Sequence, residues 1–390
     1  MSSWDKARWR KLWLDVHLWI GVGLALLVIP LSVTGAALVW HDGVDEMLNP
    51  ERYRVTGVAA AQPASAYVAA AENALAEGAQ AARVAMPEEA GAPVTVRAMR
   101  AVPGSQRPNF YTVYLDPPTA RVLDVADFRG SFVGVMHMLH GSFMVPGIGR
   151  RIVGWVGVAM FVSCLTGIWL WWPRNNRFLK ALKWRRVPTT MGNLHYTLGF
   201  WIAVPLAMLS FTGAYISFPQ TATAVYGIFA GTPPENDGRR QGPPRRRFEL
   251  PVRGTAMTVD QAADAARAAL PGAEIVTMSM AAGTPPVWQI EMIADGERRR
   301  VGVADADGVA TVQRVPESGR AAAARNADGA RSFAMTMRRW HDGRGMGLVW
   351  QIVIFAGGII PAILGVTGIV MWWRRRANRK ALARRLAAAE

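Results

Sequence analysis

Cysteine is nearly absent from this chain of 390 residues: Cys164 is the only one. One thiol excludes a disulfide within the chain, a Cys-x-x-Cys-His attachment for covalent haem, and the cysteine sets of iron–sulfur or zinc centres. Acidic residues are scarce, with 28 Asp and Glu against 44 Lys and Arg and a net charge of +16. Charge of either sign is missing from four stretches, His17–Trp40, Ile152–Trp172, His195–Phe218 and Leu348–Trp373. There is no Walker A loop, no dinucleotide-binding glycine fingerprint, no metalloprotease motif and no nucleophile set. Asp305-Ala-Asp307-Gly308 resembles part of a calcium loop, but the remaining ligands are missing and it reads as a hairpin turn.

What is present is apolar length. Each of the four stretches has the ~20 residues that cross a hydrocarbon core, which predicts an α-helical membrane protein with a four-helix transmembrane bundle in contact with the lipid bilayer. Trp13, Trp19, Trp40, Trp171, Trp172, Trp372 and Trp373 gather at the ends, as in an interfacial belt. The first stretch is too long for the core of a signal peptide, and Trp40-His41 is a poor cleavage site, so it reads as a signal anchor.

The positive charge sets orientation and does not point to nucleic acid. Lys6, Arg8, Arg10 and Lys11 precede the first stretch. Arg174, Arg177, Lys180, Lys183, Arg185 and Arg186 lie between the second and third, and Arg374, Arg375, Arg376, Arg379, Lys380, Arg384 and Arg385 follow the fourth. Both termini and the middle loop are then expected in the cytoplasm and the two long connections outside. Arg150 and Arg151 stand on the wrong side for this rule. They suit an acidic group such as a haem propionate or substrate carboxylate, or lipid headgroups.

The chain reads as if written twice. His17-Leu-Trp-Ile-Gly21 matches His195-Tyr-Thr-Leu-Gly199, and Ser32-Val-Thr34-Gly35 matches Ser210-Phe-Thr212-Gly213 at the same offset. Thr166-Gly167-Ile168 matches Thr367-Gly368-Ile369 at a second offset, which also carries His140 to His341. Two parallel repeats, each span, outer module, span, would place the first span opposite the third. Each outer module reads as small and α+β: an Ala-rich helix (Ser65–Gly78; Thr258–Leu270), then strand-like runs. These are Val94–Met99 and Tyr111–Val125 in the first module, and Glu274–Met280, Val287–Ile293 and Arg299–Val312 in the second. Gly231–Pro251 reads as a flexible linker.

All six histidines fall at or near the ends of the four stretches. Histidine is the commonest neutral metal ligand. His17 and His195 would face each other at the cytoplasmic side, each with a glycine one turn away (Gly21, Gly199) that leaves room for a flat ligand; two imidazoles across a bundle suit bis-histidine haem. On the outer side lie His41, His137, His140 and His341. The symmetric choice for a second haem is His140 with His341, leaving His41 and His137 as alternative ligands or substrate-side groups. Interfacial histidines that cap helices or meet headgroups are the plainer reading for both sets. The Thr-Gly pairs could admit porphyrin, although close helix packing accounts for them more simply.

The pattern of span, α+β module, then His137-x-x-His140 before a span ending in Thr-Gly-Ile-x-x-Trp-Trp resembles the PepSY-associated transmembrane proteins, over nearly the whole chain. That resemblance implies b-type haem, two PepSY-like periplasmic modules, and a bacterial inner-membrane reductase that releases iron from a ferric siderophore. It implies no role for a partner to His137, because Arg338 stands at the matching place, and an electron donor, cytoplasmic or quinol, on a separate molecule. The expected layout is a span over 12–41, a module over 42–130, an interfacial helix and span over 131–173, a basic loop over 174–194, a span over 195–218, a module over 219–332, an interfacial helix and span over 333–374, and a tail over 375–390. Two other functions stay open: a haem quinol oxidoreductase without siderophore chemistry, and a non-enzymatic anchor whose modules bind a protein.

Overall fold

The computed structural model describes residues 3–103, 108–173, 187–229, 249–314 and 324–388. The basic residues from Arg174 to Arg186 and nearly all of the linker Gly231–Pro251 lie outside these. Along the chain the helices are α1 (Ser3–Ala37), α2 (His41–Leu48), α3 (Ala64–Ala74), α4 (Phe132–Ser142), α5 (Gly149–Trp171), α6 (Thr190–Ser217), α7 (Pro219–Phe229), α8 (Val259–Ala269), α9 (Ala324–Asp342) and α10 (Gly347–Ala387). The strands are β1 (Ala79–Ala85), β2 (Val94–Arg100), β3 (Asn109–Leu115), β4 (Val122–Asp127), β5 (Glu274–Ala282), β6 (Val287–Ala294), β7 (Glu297–Ala304) and β8 (Ala310–Arg314). The chain divides into two compact units, one helical and one built on a sheet.

In the helical unit, α1, α5, α6 and α10 are each long and apolar enough to cross a membrane. Helix α1 packs against α5 and α10, and α6 packs against the same two, so α1 and α6 stand diagonally across the bundle. Small residues set the spacing. A Cβ added to Gly358 of α10 would lie 2.7 Å from the Ala36 Cβ and 2.8 Å from the Ser32 carbonyl oxygen of α1, a close backbone approach of the kind membrane helices use in place of hydrophobic drive. The outward faces are apolar: Leu26 is 84% exposed and Val349 79%, surface that only a lipid environment leaves without cost. Pro30, Pro205 and Pro361 lie inside the spans without ending them.

In the second unit the strands of the two α+β stretches are joined edge to edge. Its strands form one antiparallel sheet in the order β4-β3-β2-β1-β5-β6-β7-β8. The join is β1 against β5, with Arg83 opposite Ser279, Val84 opposite Met278 and Ala85 opposite Thr277. Strand β1 was not legible: Ala-Gln-Ala-Ala-Arg-Val-Ala is poor in β-branched residues and continues an alanine-rich helix pattern. Pairing on both edges overrides that weak propensity. Val84, Val96, Val113, Met278, Ile290 and Val301 align across the sheet and are fully or almost fully buried beneath α3 and α8.

Two buried aspartates tie strand ends to the segments that lead into these helices. Asp116, just after β3, accepts from the Thr56 amide (2.6 Å) and the hydroxyls of Thr56 (2.7 Å) and Thr119 (2.5 Å). Asp305, just after β7, accepts from the amides of Ala256 (2.8 Å) and Met257 (3.2 Å) and from the Trp288 indole (2.9 Å). The calcium-like motif is therefore a turn whose first aspartate is consumed internally. Burial alone would raise both acidities' pKa values, but the donors outweigh it and hold both carboxyls below their usual range. A depressed folded-state pKa gives stability that is complete above about pH 4–5 and is lost as pH falls through the folded value. Replacing either residue by Asn should cost about 1–3 kcal/mol and flatten the acid limb of the sheet unit's unfolding curve. Circular dichroism from pH 2 to 7 checks this; an acid limb unchanged in Asp116→Asn and Asp305→Asn would show that other groups govern it.

Candidate functional site

Four histidines lie between helices of the helical unit and meet in two pairs. The rings of His17 (α1) and His195 (α6) are 6.3 Å apart between centroids, at 85° to each other. The rings of His140 (α4) and His341 (α9) are 6.0 Å apart, at 39°. Residues that match in sequence thus face each other in space. His17 and Gly35 are 18 positions apart on α1, so the two pairs are separated by roughly 27 Å along the bundle at ~1.5 Å per residue.

Each imidazole reaches a neighbouring helix at a Thr-Gly pair. A Cβ built on Gly35 would lie 2.7 Å from His140 Cε1; on Gly213, 3.0 Å from His341; on Gly167, 3.2 Å from His17; on Gly368, 3.6 Å from His195. The same four places supply hydrogen bonds to Nδ1. His17 Nδ1 is 3.1 Å from the Ser163 carbonyl oxygen and 3.1 Å from Thr166 Oγ1. His140 Nδ1 is 2.9 Å from the Leu31 carbonyl oxygen. His195 Nδ1 is 3.1 Å from Thr367 Oγ1, and His341 Nδ1 is 3.0 Å from Thr212 Oγ1. The carbonyls at His17 and His140 belong to the residue three before the threonine of the pair. An imidazole placed among apolar helices must satisfy its N–H or lose about 1–3 kcal/mol; here a helix carbonyl does so at His140, a threonine hydroxyl at His195 and His341, and both face Nδ1 at His17.

The reading of the Thr-Gly pairs as packing residues is therefore incomplete, for they are where the histidines are seated. The signal was present in their placement: two pairs near one end of the first and third spans, two near the opposite end of the second and fourth, matching the two depths of the histidines. The glycines chosen from the sequence behave differently. A side chain on Gly21 would meet nothing within 4 Å, and one on Gly199 would only touch Leu364 at 3.9 Å. Gly21 lies on an exposed face of α1, and these two glycines do not seat the rings.

The remaining candidates sit elsewhere. His137 is exposed on α4, one turn from His140. His41 begins α2 in the sheet unit, with Nε2 at 3.5 Å from the Asp42 carboxylate. Arg150 donates to the Ile216 carbonyl oxygen near the end of α6, and Arg151 is exposed. Near the His17–His195 pair, Trp171 stacks on Phe200 at 3.9 Å and 23°, and Trp13 lies 6.5 Å from Trp169.

The family model described as the PepSY-associated TM region matches residues 14–375, and the chain belongs to that family of membrane proteins. A search among curated proteins finds no match.

The seats differ in tightness, which gives an ordering. Gly35→Ala should destabilise the protein by about 1–3 kcal/mol through overpacking against His140, whereas Gly368→Ala, at ordinary contact distance, should cost under about 1 kcal/mol. Thermal unfolding in detergent measures both; a larger loss for Gly368→Ala would contradict the geometry.

Proposed function

We propose that the chain is a di-haem membrane reductase that passes electrons across the bilayer to ferric siderophore iron. The supporting observation is the two facing imidazole pairs at two depths of one bundle. A metal ion held by two imidazoles at ~2.0–2.1 Å, each ring centre ~1.1 Å beyond its nitrogen, needs centroids about 6.3 Å apart; the separations are 6.3 and 6.0 Å. Among the described residues no group of three or more His, Cys, Asp or Glu could hold a bare ion, so the donors come in twos, which suits a macrocycle that brings its own equatorial nitrogens. The donor set, two facing imidazoles at each place, fits b-type haem.

In this reading His17 and His195 hold one haem, and His140 and His341 the other. Haem bound at each pair supplies one-electron exchange. The protein's own part is to present Nε2 from each ring, keep the intervening bundle apolar and fix the spacing. The two series of sequence matches are read as parallel repeats, with both termini cytoplasmic and the sheet unit periplasmic, so electrons enter at the inner pair from a reduced cytoplasmic carrier or a quinol. They leave near the outer pair, one electron converting a ferric chelate to a ferrous one. Hard oxygen ligands hold Fe(II) less tightly than Fe(III), so the reduced ion is released, and no proton-transfer residue is needed. His41 and His137 then serve the substrate side.

An optical spectrum of detergent-purified protein, oxidised and dithionite-reduced, tests this. Low-spin b-type bands are expected, with reoxidation on adding ferric chelate, and His17→Ala and His140→Ala should each remove about one haem equivalent. A colourless protein would leave only the anchor reading, bands without chelate-dependent reoxidation would leave the quinol oxidoreductase, and loss of both haems from either variant would argue against separate sites.

A further inference from the structure

The Thr-Gly pairs form one device used four times. In each, the threonine hydroxyl donates to its own helix: Thr34 to Pro30 and Leu31, Thr166 to Ser163, Thr212 to Met208 and Leu209, Thr367 to Ile363 and Leu364. With its proton directed there, the hydroxyl oxygen presents its lone pairs to the imidazole. A carbonyl oxygen can only accept. The carbonyl at His140, the threonine at His195 and at His341, and both at His17 thus call for a hydrogen on Nδ1; at His17 the Ser163 hydroxyl also lies at 3.4 Å, beyond these two at 3.1 Å, and the glycine beside each lets the ring lie against the helix backbone.

We infer that the hydroxyls of Thr166, Thr212 and Thr367 and the carbonyls of Leu31 and Ser163 are positioning groups that fix all four histidines as the Nδ1–H tautomer and leave Nε2 bare. The tautomer follows from the protein's own bonds and does not require that anything be bound. Its consequence for redox chemistry rests on the haem reading above. A ligand histidine whose distal N–H is firmly accepted becomes a stronger donor, which stabilises ferric over ferrous iron and lowers the potential.

The four seats are not identical, and the difference supplies the control. Thr212 Oγ1 lies 3.0 Å from His341 Nδ1. At the facing seat His140 Nδ1 bonds the Leu31 carbonyl oxygen (2.9 Å), and the Thr34 hydroxyl is turned to its own helix. Removing the Thr212 hydroxyl therefore weakens an acceptor at its imidazole, whereas removing that of Thr34 does not.

Two measurements test this. In protein made under haem limitation with ¹⁵N-labelled histidine, the four paired imidazoles should show protonated Nδ1 and unprotonated Nε2; protonated Nε2 in these residues would overturn the inference whether or not the protein ever binds haem. In haem-loaded protein, Thr212→Val should keep its haem content and raise the midpoint potential of one haem, Thr212→Ser should restore it, and Thr34→Val should not raise it. Haem present with an unmoved potential in Thr212→Val would equally overturn the inference. Absence of haem from the native protein would sink the reductase reading, and the ¹⁵N measurement would still decide the tautomer.

Discussion

A neutral imidazole inside an apolar helix bundle carries one N–H that must be accepted by something, and that constraint organises the helical unit. Helix backbones offer few acceptors, because each carbonyl is already engaged in its own helix. A carbonyl has a second lone pair, however, and it becomes reachable only where the adjacent residue has no side chain. That is the geometry at Gly35, Gly167, Gly213 and Gly368. Were these positions larger, the rings could not come down onto the backbone, and the pairs would separate.

The requirement links elements that are far apart in the chain. His17 is held by α5, His195 by α10, His140 by α1 and His341 by α6. Helices α5 and α10 both touch α1 and α6, so the seats connect the same helices that pack through small residues. Small residues at Gly157 and Gly358 bring the spans together, and the four glycines of the Thr-Gly pairs use that proximity to seat polar rings. Packing and polar satisfaction are met by the same choice of glycine.

Much of this was written plainly in the sequence, and what was hidden has a physical reason. The spans follow from apolar length alone, a signal that tertiary context cannot mask. The pairing of His17 with His195 and of His140 with His341 follows from matched positions. The sheet was legible as strands but not as a whole. Arg83 and Val84 sit in a run of alanines whose strand character comes only from neighbours on both sides, β2 and β5, and a central strand of low propensity leaves no local trace. The seats were half legible: the Thr-Gly pairs stand out, but packing and ligand-holding place the same demand for small residues on a sequence, and only the direction of a ring distinguishes them. The bond of His140 to a main-chain carbonyl, and not to Thr34, leaves no side-chain signature at all.

The polarity of the bundle also bears on what could travel through it. Between their ends the four spans carry no Asp, Glu, Lys or Arg, and the histidines that punctuate them have Nδ1 engaged with helix acceptors. Pumps and ion pathways need a succession of groups that accept and release charge within the membrane. Here the two polar places lie roughly 27 Å apart at ~1.5 Å per residue, with apolar side chains such as Cys164, Ile202 and Leu206 packed in the bundle. A proton or a cation moving along that distance would have to be desolvated without partners. An electron moving between two bound redox centres carries no hydration shell and makes no such demand. The electron transfer proposed above is compatible with that apolar interior.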